Sequence, residues 1–160
     1  HVRNAVSAAL RDRLLDALAV AEAATEVEVH VHGAGPDFSA GGDLDEFGTT
    51  PDPATAHLIR TRRSVAASLH RLAPRTTVHL HGAAFGAGIE LAAFAGTVLA
   101  APDSRVGLPE LGLGLIPGAG GTVSLPLRIG RQRTAWLALT RRTIDVTTAL
   151  RWGLVDEITG

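Results

Sequence analysis

An α/β fold with mostly parallel strands is what this sequence predicts, on three observations. Strand-like and helix-like segments alternate along the chain. The helical segments repeat apolar residues every three or four positions, whereas the strand segments are short and alternate or run apolar. No internal repeat, low-complexity tract or interdomain linker interrupts the 160 residues, so one domain with a real core is expected.

Residues 4–24 read as a helix, with Val6, Leu10, Leu14, Leu18 and Ala21 as its apolar stripe and Arg11, Arg13 and Asp16 between them. Residues 27–32 alternate Val-Glu-Val-His-Val-His, a strand with Val27, Val29 and Val31 on one face. A glycine-rich loop, 33–42, follows. A second helix is expected over 54–72, opened by Pro51-Asp52-Pro53 and closed before Pro74. The stretch 48–53 before it is the most loop-like and predicts a surface excursion near a site. Residues 76–80 form a strand, 86–95 a helix starting at glycines, and 97–100 and 105–108 two short strands. Gly118–Gly121 is a tight turn feeding a helix through about Ile129. Helices over 131–139 and 146–152 and a strand over 154–158 complete the order.

Composition narrows the function classes. A 46% apolar and 19% charged chain is ordinary for a soluble globular protein. With a net charge of -1, neither nucleic acid nor an anionic membrane is indicated as a partner. No apolar run approaches the roughly 20 residues that span a bilayer. No secretory pattern is seen, and cytoplasmic residence is the default expectation. Cysteine is absent, which excludes disulfides, thiol catalysis and thiolate metal sites. Eighteen glycines and 4% aromatics suit backbone-built sites more than aromatic pockets.

Two strands end alike. The first empties into Phe38-Ser39-Ala40-Gly41-Gly42-Asp43, the second into Phe85-Gly86-Ala87-Gly88-Ile89-Glu90. Small residues let a ligand approach the backbone, and N–H groups at a helix start favour developing negative charge. Two such donors converging would make an oxyanion hole, each worth about 3–4 kcal/mol in the transition state. Tight turns alone would explain the same glycines. Glu90 and Glu110 each interrupt an otherwise apolar run. A lone buried carboxylate must be partnered, solvated at a cleft or protonated. Burial also lifts its pKa toward the range useful for proton transfer. An exposed or capping glutamate is the alternative for either residue.

His30 and His32 share one strand face, as do His79 and His81. Four imidazoles could bind zinc, but no cysteine or nearby carboxylate joins them in sequence. Polar satisfaction in the sheet is the expectation, with no metal. His81 could also support the loop beside Gly82. Arg60, Arg62, Arg63, Arg71 and Arg75 read as a solvated helix face, one or two of which could meet phosphates.

Four segments in order resemble the crotonase superfamily, the enoyl-CoA hydratase/isomerase family, over nearly the whole chain. They are Phe38–Leu44, Gly82–Leu91, Leu108–Thr122 and Ala149–Ile158; Arg3-Asn4-Ala5 shares the look. The resemblance implies a spiral of ββα turns forming two roughly perpendicular sheets with helices outside. It implies that the N–H groups of Ala40 and Ala87 hold a thioester oxygen, and that Glu90 and Glu110 are the acid/base pair. It further implies contact with acyl-CoA through Phe38, Ser39, Ala40, Gly42, Asp43, Leu44, Gly86, Ala87, Pro109 and Gly118. No separate cofactor is implied, because coenzyme A is carried by the substrate. Glutamate at both positions points to hydration of an enoyl-CoA in fatty acid metabolism, over double-bond isomerisation or a non-catalytic acyl-CoA-binding subunit. Residues 1–160 would then be a core domain without the family's first N-terminal strand and its C-terminal helical region. With that region present, a homotrimer or hexamer is expected. Two departures stand out: Ala87 and Arg141 occupy positions where the family usually has glycine.

Overall fold

The computed structural model describes residues 3–24, 26–49 and 52–160. The predicted Pro51 and the residue before it lie outside the described residues, as does the side chain of Arg60. Helix α1 spans Ala8–Ala23, not 4–24. Arg3 and Asn4 hold left-handed backbones, φ 44° and 55°, and Val6 donates to the Gly41 carbonyl at 2.7 Å. The segment before the helix is therefore strapped to the first glycine loop. Ser7 starts α1 by accepting from the Leu10 N–H at 3.2 Å.

Strand β1, Val29–His32, lies at one edge of a four-stranded parallel sheet in the order β1-β2-β4-β7. The other strands of that sheet are β2, Thr76–Leu80, β4, Thr97–Ala100, and β7, Glu157–Ile158. A second, three-stranded sheet joins β3, Ala83–Phe85, to β5, Arg105–Gly107, in parallel and β5 to β6, Ile144–Asp145, in antiparallel. The short β3 and β6 were absent from the sequence reading, because two or three residues carry no readable period.

The single helix expected over 54–72 is two: α2, Pro53–Arg62, and α3, Val65–Leu72. Arg63 leaves helical geometry at φ −115°, ψ 60°, and Ser64 starts the next helix by accepting from the Ala67 N–H at 3.1 Å. Helices α4 (Ala87–Ala92), α5 (Gly121–Ile129), α6 (Arg131–Thr140) and α7 (Val146–Trp152) complete the order. The larger core packs Val78, Leu80, Ile89, Val98, Val106, Leu108 and Leu125 between the sheets and α4–α7. A smaller one joins Leu18 and Ala21 of α1 to Val65, Leu69 and Leu72 of α3 and Leu91 of α4.

Three of the five arginines make structural ties. Arg63 pairs with Asp12 at 3.1 Å and Arg71 with Glu22 at 2.8 Å. Arg75 is partly buried, donating to the carbonyls of Ala21 at 2.7 Å and Val27 at 2.9 Å. It sits at the base of α1 instead of on a solvated helix face. No described helix is long and apolar enough to cross a membrane.

Candidate active site

The two glycine loops are stapled into one unit. Ser39 and Ala84 form a parallel bridge, with Ser39 N–H donating to Ala83 O at 2.9 Å and Phe85 N–H to Ser39 O at 3.0 Å. Asn4 Nδ2 fastens the first loop from below, reaching the carbonyls of Ala34, Asp37 and Phe38 at 2.8, 2.9 and 3.1 Å. Asp37 Oδ1 accepts from the Ala83 N–H at 2.8 Å. Ala87 opens α4, so its N–H has no intrahelical acceptor. The Ala40 N–H is differently placed: it donates to the Arg3 carbonyl at 2.9 Å.

Glu90 lies in the first turn of α4 and is 1% exposed. Its Oε2 accepts from the backbone N–H groups of Ala119 and Gly121, both at 2.8 Å. These donors come from the turn before α5 and from the first residue of that helix. A Cβ at Gly121 would lie 2.5 Å from Glu90 Cγ and 2.8 Å from its Oε2, so a side chain there would displace the Glu90 side chain. Burial, aided by the neighbouring Glu110, pushes Glu90 up to about 7 against the pull of the two N–H groups. Glu110 starts the 3₁₀ turn Glu110–Leu113 after β5. Burial raises its pKa too. Burial thus favours the protonated form of both carboxyls.

Glu110 Oε2 is buried without a hydrogen-bond partner. Such an atom calls for an explanation, and a cleft gives one. A cleft of about 420 Å³ is lined by Glu110 together with Ala40, Gly42, Leu44, Gly86 and Pro109. Six predicted site residues thus share one cleft. The others stand elsewhere. Glu90 and Ala87 are buried behind it. Phe38 belongs to the core, and Ser39 Oγ donates to the Asn4 carbonyl at 2.9 Å. Asp43 caps the turn Leu44–Glu46 by accepting from the Asp45 N–H at 3.1 Å. Gly118 is exposed, just before the turn that holds Glu90.

The sequence reading passed over several lining residues: Phe47, Leu113, Leu115 and Arg141. Only tertiary packing brings them in, although the glycine-to-arginine departure at 141 was a visible signal. Arg141 holds a left-handed backbone at φ 56°, and its side chain lies over Gly112 at the cleft. The Ala119 and Gly121 N–H donors were likewise hidden, since a backbone donor leaves no mark in residue type.

Residues 1–160 match the family model described as enoyl-CoA hydratase/isomerase. The chain is 36% identical over 157 residues to the 2,3-dehydroadipyl-CoA hydratase of Escherichia coli (strain K12), covering 98% of this chain and 61% of that protein. It is 36% identical over 125 residues to an enoyl-CoA isomerase/hydratase of Mycosarcoma maydis, covering 78% of this chain and 46% of that one. The crystal structure of enoyl-CoA hydratase from Thermoplasma volcanium GSS1 superposes with a TM-score of 0.88 at 32% identity, covering 97% of this chain and 62% of that chain. The chain therefore spans about three fifths of the E. coli relative's length.

Proposed function

The chain belongs to the enoyl-CoA hydratase/isomerase family, and from that premise we propose that the protein hydrates the 2,3 double bond of an enoyl-CoA thioester. The observation that carries this reading is Glu110, whose buried and unpartnered Oε2 belongs to a residue lining the cleft, with Glu90 held by two backbone N–H groups as the second buried glutamate. In the proposed reaction the pair holds one water. The water oxygen bonds to the β-carbon as the π bond breaks, and the electrons move onto the thioester oxygen. The N–H groups of Ala87 and Ala40 stabilise that enolate, Ala40 by exchanging the Arg3 carbonyl for the substrate oxygen. One carboxyl gives its proton to the α-carbon and the other takes one from the water, so the pair ends with the proton count it began with. Glu110 faces the cleft and is the group assigned to the α-carbon. No cofactor beyond the substrate's own coenzyme A is required.

A second reading, double-bond isomerisation, is favoured by one observation: Glu110 alone of the pair lines the cleft. Assembly into a trimer or hexamer belongs to the proposal as well. It is supported by the exposed apolar side chains of Ile116, Val123, Leu127 and Leu139, and the solution mass tests it.

The deciding assay follows the conjugated enoyl-thioester absorbance of crotonyl-CoA with the full natural protein. Hydration predicts its loss, with Glu90→Gln and Glu110→Gln each slowing turnover by about 10²–10⁴-fold while CoA binding persists. Gain of that absorbance from a 3-enoyl-CoA, surviving in Glu90→Gln but not in Glu110→Gln, would select isomerisation. Binding without either reaction would sink both.

A further inference from the structure

We propose that His30, His32 and His79 bind a divalent transition-metal ion such as Zn²⁺ on the outer face of the β1–β2 pair, apart from the acid/base cleft. The sequence expectation here was simple polar satisfaction in the sheet. The structure brings one ligating nitrogen of each of these three residues within 4.8 Å of the others. His30 Nδ1 lies 3.1 Å from His79 Nε2. The His32 ring stacks on His79 with centroids 4.0 Å apart. Nitrogens about 2.0–2.1 Å from a shared tetrahedral zinc stand about 3.3 Å from one another. The first pair is therefore already close to ligating distance, and the third needs only a ring rotation.

The backbone fixes this layout. His30 and His32 alternate on β1 and so point to one face. His79 stands directly opposite His32 in the parallel register. Their strand neighbours Val31 and Val78 turn the other way, toward the core. His30 and His32 are exposed, which leaves their rings free to turn. His81 is not part of the set, because its Nε2 lies 3.0 Å from the Gly35 carbonyl. A proton shared between His30 and His79 would account for two rings and leave His32 merely stacked. An ion accounts for all three.

The donor chemistry agrees. Three imidazoles with no thiolate suit Zn²⁺, Cu²⁺ or Ni²⁺ and not Mg²⁺ or Ca²⁺. Neutral imidazole is the ligating form. Glu28, a carboxylate the sequence expectation passed over, has Oε2 3.7 Å from His30 Nε2, beyond hydrogen-bond distance. The site also has a structural consequence. β1 runs into the loop that carries Ala40, and β2 leads through β3 to α4, which Ala87 opens. An ion across the two strands would pin the edge strand at the root of the first loop.

The test is a Zn²⁺ titration of the full natural protein by calorimetry, with the melting temperature followed in parallel and Mg²⁺ as the control ion. The expected result is one saturable Zn²⁺ site per chain that raises the melting temperature. It should weaken by about tenfold or more in His79→Gln and in His32→Gln and be unchanged in His81→Gln. Should His79→Gln fail to fold, His30→Gln on the exposed edge must show the same loss. Absence of saturable Zn²⁺ binding overturns the proposal, and so does binding that all three ligand variants retain.

Discussion

Glu90 shows at the scale of one residue how burial turns a carboxylate into an acid. In water its carboxyl would ionise near 4.5, and in the fold it is pushed up to about 7. The folded state therefore holds a proton that the unfolded chain releases, and stability falls as pH rises from about 4.5 to about 7. Below that window both states are protonated and the penalty is absent; above it the penalty is complete. Gln at this position keeps an oxygen for the Ala119 and Gly121 N–H groups but cannot ionise. Glu90→Gln should accordingly melt higher than the wild type near pH 8, with the difference shrinking toward pH 4. Thermal melts at the two pH values measure this. A difference independent of pH would mean that Glu90 is not a buried acid. The same variant is expected to lose turnover, an exchange of stability for activity common at catalytic sites.

At the scale of elements, the site depends on how a strand gives way to a helix. β3 ends at Phe85, and Gly86 turns at φ 47° before α4 begins. Only glycine adopts that conformation readily, and here a Cβ would also overlap Glu110 Oε1. Gly86→Ala should cost about 1–3 kcal/mol in backbone strain alone. By displacing the Glu110 carboxyl it should lower kcat by about 10²-fold or more. Steady-state kinetics beside a melting curve separate the two effects; a folded variant with full kcat would remove Gly86 from the positioning of Glu110.

Elements of this length also mark what a sequence discloses. Thr76–Leu80, Thr97–Ala100 and Val146–Trp152 were legible to the residue, because each is bounded by glycine, proline or a capping side chain. Glu90 and Glu110 were legible as lone carboxylates in apolar runs. The break at Arg63-Ser64 was not, since it interrupts no apolar period. Neither was the Arg3 carbonyl on the Ala40 N–H, a contact between segments far apart in the chain.

At the scale of the whole molecule, Arg128 ties three parts together. It leaves α5 with its side chain only 13% exposed. Its guanidinium donates to the carbonyls of Ala93, Ala95 and Gly96, at 3.1, 2.7 and 3.2 Å, just beyond α4. On its other side it meets Asp156 at 3.1 Å. Asp156 Oδ2 in turn accepts from the Val98 N–H at 2.7 Å, so the chain before β7 is fixed against β4. One planar fork thus joins the helix that precedes β4, the helix whose leading turn holds Glu90, and the far edge of the parallel sheet. Lysine carries the charge but cannot reach those carbonyls together. Arg128→Lys should therefore destabilise nearly as much as Arg128→Met, which strands several carbonyls and Asp156. About 1–3 kcal/mol is expected for the latter, the scale for leaving buried acceptors without their donor. Denaturant unfolding of both variants is the measurement. If lysine restored wild-type stability, the tie would be one of charge alone and not of geometry.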